Sequence, residues 1–462
     1  MLWQFGHHLL STEGAQISGA WGYSAGISMV AVAPAPVEDG TTKTVFLMSP
    51  EETGLLMMPS SLVTIVTCTF FKGKVPEQLK QRVTEVVQAN PWLACRLKKQ
   101  VNDKKKKQAA MVYDPQPRPE AILADHYKEY SVADVQGGKR ELAAIDVGQP
   151  YEAICKAADK SAAKLSCGGE CVDKNEPQFR VTVVPSDDGQ RFAVLVSLSH
   201  VVADGYTYYE ILNLLSLNAP MKVLNPIRKP GFTEALTAAL GKTESNYPAS
   251  AGYLFNALGN MIFGKKPKVC AHYIDKDKVD AAKAREAGGT VPFVSTNDVV
   301  TSAFGKLTQT NVLEMAIDMR NRLPAYTKED AGNLEFALYF TPEDFATPSL
   351  VRQAVAGKDG QFGRRCSGSD TKLPGCWGAS RKRIAIITNW SSNHNECFLG
   401  DGCTQELHLP LYTAPPLDAG IIFKPTPSTL GLITFARHIK KGDFEGDASV
   451  FGELVSERIF NI

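Results

Sequence analysis

Leu198-Ser199-His200-Val201-Val202-Ala203-Asp204-Gly205 closes a run, Phe192 to Ser199, that is apolar almost throughout. Such a run predicts a central strand covered on both faces. It delivers the chain into His200, and after Gly205 a helix is expected through Tyr209, Ile211, Leu212 and Leu215. A buried strand that stops at a histidine and turns through Asp-Gly into a helix sets that imidazole at a strand end, where pockets form. With an ordinary pKa of about 6.5, histidine can take and return a proton near neutrality. By itself the string HxxxDG more often marks a core histidine with satisfied hydrogen bonds than a functional one.

Outward from this stretch, Phe179 to Val183 alternates as a strand with one buried face, and Pro185-Ser186-Asp187-Asp188-Gly189 supplies the hairpin turn. Leu62 to Phe71 is a strand. A helix starts at Pro76, buries Leu79, Val83, Val86 and Val87, and ends at Asn90-Pro91. Trp92 to Leu97 begins another strand, and Lys104 to Lys107 forms the solvated tip of a hairpin leading to Ala109–Val112. The proline-bearing stretch 220–250 is the candidate crossover.

Beyond it, a helix capped by Thr296 has Val299, Val300, Ala303, Phe304 and Leu307 on one side. Leu313, Met315 and Ile317 alternate on a strand ending at Asp318-Met319-Arg320. Further strands are expected at 334–340, 384–388 and 430–435, a surface insertion at 357–382, and a final amphipathic helix near 447–459. No internal repeat is found. These elements give an α+β protein of two similar halves with mixed sheets. Residues 1–42 read as a flexible extension, 43–219 as an N-terminal lobe, 220–250 as linker and 251–462 as a C-terminal lobe.

The 462 residues suffice for two large lobes sharing one interface. Hydrophobic residues at 44% and charged residues at 21% are ordinary for a packed core and exclude disorder of the whole chain. Fifty Lys and Arg against 49 Asp and Glu provide no basic field, which argues against a nucleic-acid or anionic-membrane partner. The uncharged stretch ending at Phe71 is broken by Pro59-Ser60-Ser61, so no membrane span is expected. Residues 1–42 hold no Lys or Arg and read as neither signal nor transit peptide. Ten cysteines, with pairs such as Cys167/Cys171, Cys366/Cys376 and Cys397/Cys403, match no paired CxxC pattern. Reduced thiols, a cytoplasmic location and no metal are expected.

In the order of its motifs the sequence resembles the BAHD-type acyltransferases of the chloramphenicol-acetyltransferase-like superfamily. The resemblance runs from Phe46-Leu47-Met48-Ser49-Pro50, through Asn90-Pro91-Trp92-Leu93-Ala94-Cys95-Arg96-Leu97, to His200–Gly205. It resumes at Ser295–Val299, Ile317-Asp318-Met319-Arg320-Asn321-Arg322-Leu323, Gly332-Asn333 and Ile387-Thr388-Asn389-Trp390. The family's DFGWG signature is missing, and Phe398-Leu399-Gly400-Asp401-Gly402 stands in its region. Ser199 precedes His200, where condensation domains of the same superfamily carry a second histidine.

This resemblance implies two lobes, each a mixed sheet flanked by helices, with the active-site channel between them. It implies a monomeric transferase that moves an acyl group from a coenzyme A thioester to the hydroxyl or amine of a small molecule. His200 would be the general base and no acyl-enzyme would form. The Trp390 indole N–H and the Thr388 hydroxyl are candidates for stabilising the oxyanion. Asp204 would turn away from His200 and pair with Arg320, or as second choice Arg322, with Gly205 and Asn333 supporting the turn. No cofactor is permanently bound, since acyl-CoA is a co-substrate. The alternatives are a condensation-type enzyme using a carrier protein, and a non-catalytic ligand-binding member of the fold.

Other residues have plainer readings. His7 and His8 fall in the extension. His394, Cys397, Cys403 and His408 have the side chains for zinc but read as ordinary surface and core positions. Trp92 and Trp377 read as packing residues, and Gly402 as a turn glycine. The basic residues at 364–365 and 381–383 suit either CoA phosphates or a solvated insertion.

Overall fold

The computed structural model describes residues 42–461 except 166, 357–360, 369–370, 413–414 and 447–448. His7, His8 and nearly all of the expected N-terminal extension therefore lie outside the described residues. In chain order the strands are β1 Lys43–Phe46, β2 Thr64–Lys72, β3 Arg96–Val101, β4 Lys107–Tyr113 and β5 Tyr127–Glu129. They continue with β6 Phe179–Pro185, β7 Arg191–Ser199, β8 Lys268–Ile274, β9 Val312–Asp318 and β10 Glu335–Phe340. The last are β11 Ile384–Asn389, β12 Thr404–Pro410, β13 Asp418–Phe423, β14 Gly431–Ala436 and β15 Phe451–Leu454.

Two mixed sheets flanked by helices make the two halves of an α+β molecule. One has the order β12-β2-β7-β6-β5 and the other β10-β9-β11-β13-β14-β8-β15, with a small sheet β1-β4-β3 beside the first. β7 lies between β2 and β6, and all its residues after Arg191 are buried, as its unbroken apolar run requires. β12 comes from the second half of the sequence yet pairs antiparallel with β2, joining the five-stranded sheet to the rest of the chain.

Local sequence explains the helices that matter for the site. Asp204 caps the helix Gly205–Asn213 by accepting from the Thr207 N–H, and the helix is buried nearly all round. The helix Thr296–Leu307 starts with a reciprocal capping box between Ser295 and Asp298, so Ser295 rather than Thr296 is the cap. Its Phe304 presses on Gly420 of β13, where any Cβ would lie 2.8 Å from the ring. That contact covers one face of the seven-stranded sheet and leaves the other for a cavity.

Several expectations need correction. The region near 447–459 forms no helix among the described residues: Phe451–Leu454 is an edge strand paired with β8. Pro91–Ala94 is a single tight turn of helix, and the strand begins only at Arg96. The stretch 220–250 contains a helix, Phe232–Leu240, packed through Phe232, Leu236 and Leu240. Trp377 is 81% exposed on the short helix Cys376–Ala379, whereas Trp92 is buried. The expected insertion is not all surface, because Phe362 and Arg364 are buried and Arg364 pairs with Asp344. Gly402 does lie in a turn, closed by the Cys403 N–H donating to the Gly400 carbonyl, and the left-handed residue of that turn is Gly400, at φ 110°.

Candidate active site

β7 ends at Ser199, and the His200 N–H donates to the Val63 carbonyl at 2.7 Å, which anchors the turn to the start of β2. Residues 332–335, leading into β10, then contact this turn one after another. The Gly332 carbonyl accepts from the Asp204 N–H, and Asn333 reaches His200. The Leu334 N–H donates to Asp204 Oδ2 at 2.9 Å, and Glu335 Oε1 lies 3.4 Å from His200 Nε2. The site is thus assembled from both halves of the chain.

Asn333 grips His200 three ways. Its Oδ1 is 3.0 Å from Nδ1, while its Nδ2 donates to the carbonyls of His200 and Val201 at 2.7 and 3.2 Å. Burial opposes a charge on the imidazole, but the Glu335 carboxylate at Nε2 outweighs it, so His200 titrates above its ordinary value.

Asp204 makes no contact with His200. Arg320 Nη1 is 2.8 Å from its Oδ2, and the pair is almost fully enclosed. Arg320 also donates to the carbonyls of Asp330 and Gly332 and to the Thr207 hydroxyl. Burial works against ionisation of Asp204, yet Arg320 and the N–H groups of Thr207 and Leu334 hold its carboxyl below the usual range. Arg322 is elsewhere, donating to the Val355 carbonyl at 2.8 Å.

A second buried ion pair supports the same turn. Glu52 closes a capping box with Ser49 at the helix Pro50–Leu55, and its other oxygen meets Arg228 Nε at 2.6 Å. Arg228 in turn donates to the Val202 carbonyl at 2.6 Å. The Ser49-Pro50 motif is in this way linked to the histidine turn.

His200, Gly205, Thr388 and Trp390 line one cavity of about 950 Å³, part of it open to solvent. Strand register explains its main wall. Glu335 opposes Asp318 and Glu314 opposes Tyr339, while Ile386 pairs with both Glu314 and Ala419, and Thr388 with Ile421. Opposed residues share a face, and alternation then puts Glu314, Glu335, Ile386, Thr388, Ala419 and Ile421 on the same one. Leu55, Met58, Leu62, Thr64 and Ile65 face them from the first half of the chain. A Cβ on Gly205 would stand 3.5 Å from Trp390 Nε1, so the indole nitrogen sits against the start of the helix that follows His200. Neither that N–H nor the Thr388 hydroxyl has a protein hydrogen-bond partner among the described residues.

Glu335 and Glu314 were not singled out by the sequence reading. The available signal was a carboxylate beginning one strand and another on the second face of Leu313-Glu314-Met315-Ala316-Ile317. Burial pushes Glu314 up to about 8. Glu51, on the helix behind Glu335, is likewise pushed up to about 8, chiefly by burial.

His394 and His408 stack at 4.0 Å, and His408 bonds the Thr69 and Tyr209 hydroxyls. Among the described residues no three His, Cys, Asp or Glu side chains cluster as metal ligands, and no helix is long and apolar enough to cross a membrane.

No protein-family model and no curated protein matches the chain. Solved structures do. Polyketide synthase associated protein 5 from Mycobacterium tuberculosis is similar at a TM-score of 0.54 and 13% identity, over 87% of this chain and 96% of that one. F. sporotrichioides TRI101 complexed with coenzyme A and T-2 gives 0.54 and 14%, over 89% and 99%. The first condensation domain of the calcium-dependent antibiotic synthetase, in complex with a substrate analogue, gives 0.50 and 11%, over 83% and 87%. Identities this low speak to architecture alone, and the architecture agrees with the one that the sequence motifs resemble. The chain has a two-lobed, chloramphenicol-acetyltransferase-like fold.

Proposed function

We propose that the protein is an acyltransferase that moves an acyl group from a coenzyme A thioester to a hydroxyl or amine of a small molecule. The observation that carries this reading is the state of His200. Its Nδ1 is engaged by Asn333, and its Nε2 looks into a cavity between the halves beside Glu335. The similarity to TRI101, whose structure holds coenzyme A, supports a CoA thioester as donor.

In the proposed reaction neutral His200 removes the acceptor's proton at Nε2 as the acceptor oxygen or nitrogen bonds to the thioester carbon. Glu335 faces the imidazolium so formed and stabilises it. The oxyanion of the tetrahedral intermediate requires fixed donors, each worth about 3–4 kcal/mol in other enzymes. The unengaged Trp390 N–H and Thr388 hydroxyl in the same cavity suit that role. The C–S bond then breaks, the electron pair leaves on sulfur, and His200 returns its proton to the thiolate. Asp204 and Arg320 act as positioning residues.

The test is calorimetric titration with coenzyme A and acetyl-CoA, followed by thiol release in the presence of candidate acceptors. Saturable binding that survives His200→Ala, with thiol release abolished, is expected. Undiminished turnover in His200→Ala, or no binding of either nucleotide, would overturn the proposal.

A further inference from the structure

Glu314 is fully buried and lines the cavity, yet neither of its carboxyl oxygens has a hydrogen-bond partner. Leaving a buried polar group unsatisfied is destabilising. The Tyr253 hydroxyl is placed to interact with Glu314 as a weak donor, short of a well-formed hydrogen bond, and has no other partner among the described residues. Among the described residues Tyr247 and Tyr339 also stand around it. Among the described residues no lysine or arginine lines the cavity, and Glu51 adds a further carboxyl close to His200 and Glu335.

Spacing sets the length of a ligand that would fit. Glu314 and Glu335 lie on one face of the β9–β10 pair, four residues apart in register, or about 13 Å. Ile386, Ala419, Ile421, Leu55 and Met58 form an apolar wall along the same cavity. An ammonium group has three N–H donors, enough for both Glu314 oxygens and the Tyr253 hydroxyl. A hydroxyl has one. We infer that the acyl acceptor is a long aliphatic amine, its far ammonium held by Glu314 and its reacting group set at His200.

The amine's role as acceptor rests on the acyltransferase reading, but its binding does not. With burial pushing Glu314 up to about 8, its carboxyl is mostly protonated at neutral pH, so capture of an ammonium must release a proton.

The experiment is titration calorimetry of the full chain at pH 7 with diaminooctane and with octanediol, in two buffers of different ionisation heat. Saturable diamine binding with proton release is expected, with octanediol weaker by about tenfold or more. Glu314→Gln should lower diamine affinity by a similar factor and remove the proton release, and His200→Ala should retain both. Equal affinity for the diol, no diamine binding, or unchanged binding by Glu314→Gln would overturn the inference. If Glu314→Gln fails to fold, the wild-type comparison of diamine with diol and the proton release decide it. Thiol release from acetyl-CoA separates the two claims. Diamine that binds without releasing thiol overturns the acyltransferase reading alone, whereas thiol release with octanediol but not diaminooctane overturns the amine site alone.

Discussion

Asn333 Oδ1 lies 3.0 Å from His200 Nδ1, and the amide that carries it fits only one way round. Its nitrogen donates to two backbone carbonyls of the histidine turn, so the atom facing the ring is the acceptor. Nδ1 must then carry a proton. Basic capacity is confined to Nε2, the nitrogen beside Glu335.

Asn333→Ala removes that control. The ring gains rotational freedom and its second tautomer, and two carbonyls lose a donor. We expect kcat to fall by roughly 10- to 100-fold with little change in KM, and stability to drop by about 1–3 kcal/mol. Steady-state kinetics beside a melting curve checks both. A KM effect without a kcat effect would place Asn333 in substrate binding instead.

In the proposed reaction Glu335 would set the pH range. A general base must be neutral, and His200 titrates above its ordinary value because Glu335 outweighs burial. Activity should therefore rise with pH across a window above about 6.5. Glu335→Gln leaves burial as the dominant influence, which disfavours the charged ring. The acid limb of kcat/KM should move to lower pH, so the ratio of activity at pH 6 to that at pH 8 increases. An unmoved limb would mean that Glu335 does not act on His200.

How much of this was legible follows from what each residue's surroundings demand. The unbroken apolar run of β7 left no reading but a central strand, so the strand, the turn and the helix after it could be read together. Glu314 was hidden by its neighbours: Leu313, Met315 and Ile317 announce one buried face, while the other face is buried by a cavity, which has no local pattern. The misread end of the chain has the same kind of cause. Val450, Phe451, Leu454, Val455 and Ile459 fall at helical spacings, but β8 offers an open edge, and Phe451 and Leu454 pair with it. The joining of β12 to β2 is a contact between residues more than 300 positions apart, beyond the reach of periodicity.

The Asp204–Arg320 pair separates stability from chemistry. Its Coulomb attraction roughly offsets the loss of hydration, but removing one member strands a buried charge at about 3–5 kcal/mol. Asp204→Ala should lose that much in urea unfolding and lose activity with it. His200→Ala should lose activity while melting close to wild type. Replacing both members by apolar residues, Asp204→Leu with Arg320→Met, should recover part of the stability but not the rate, because the Leu334 and Thr207 N–H groups still lack their acceptor.

A last prediction concerns the stacked histidines His394 and His408. Burial, aided by Lys424, pushes His394 down to about 4, and burial with His394 as neighbour holds His408 well below its ordinary value. Both are neutral in the folded protein, whereas the unfolded chain binds protons below about 6.5. Their contribution is fully present above that pH and is lost as pH falls from there toward 4. His394 alone should account for about 2 kcal/mol of stability lost between pH 7 and pH 5. Its Nδ1 is buried without a partner, so His394→Phe gives up no hydrogen bond there and keeps the stacking surface. Urea midpoints at the two pH values should therefore be close to wild type at pH 7 and higher than wild type at pH 5. Equal losses in both proteins would overturn the assignment of this pH dependence to His394.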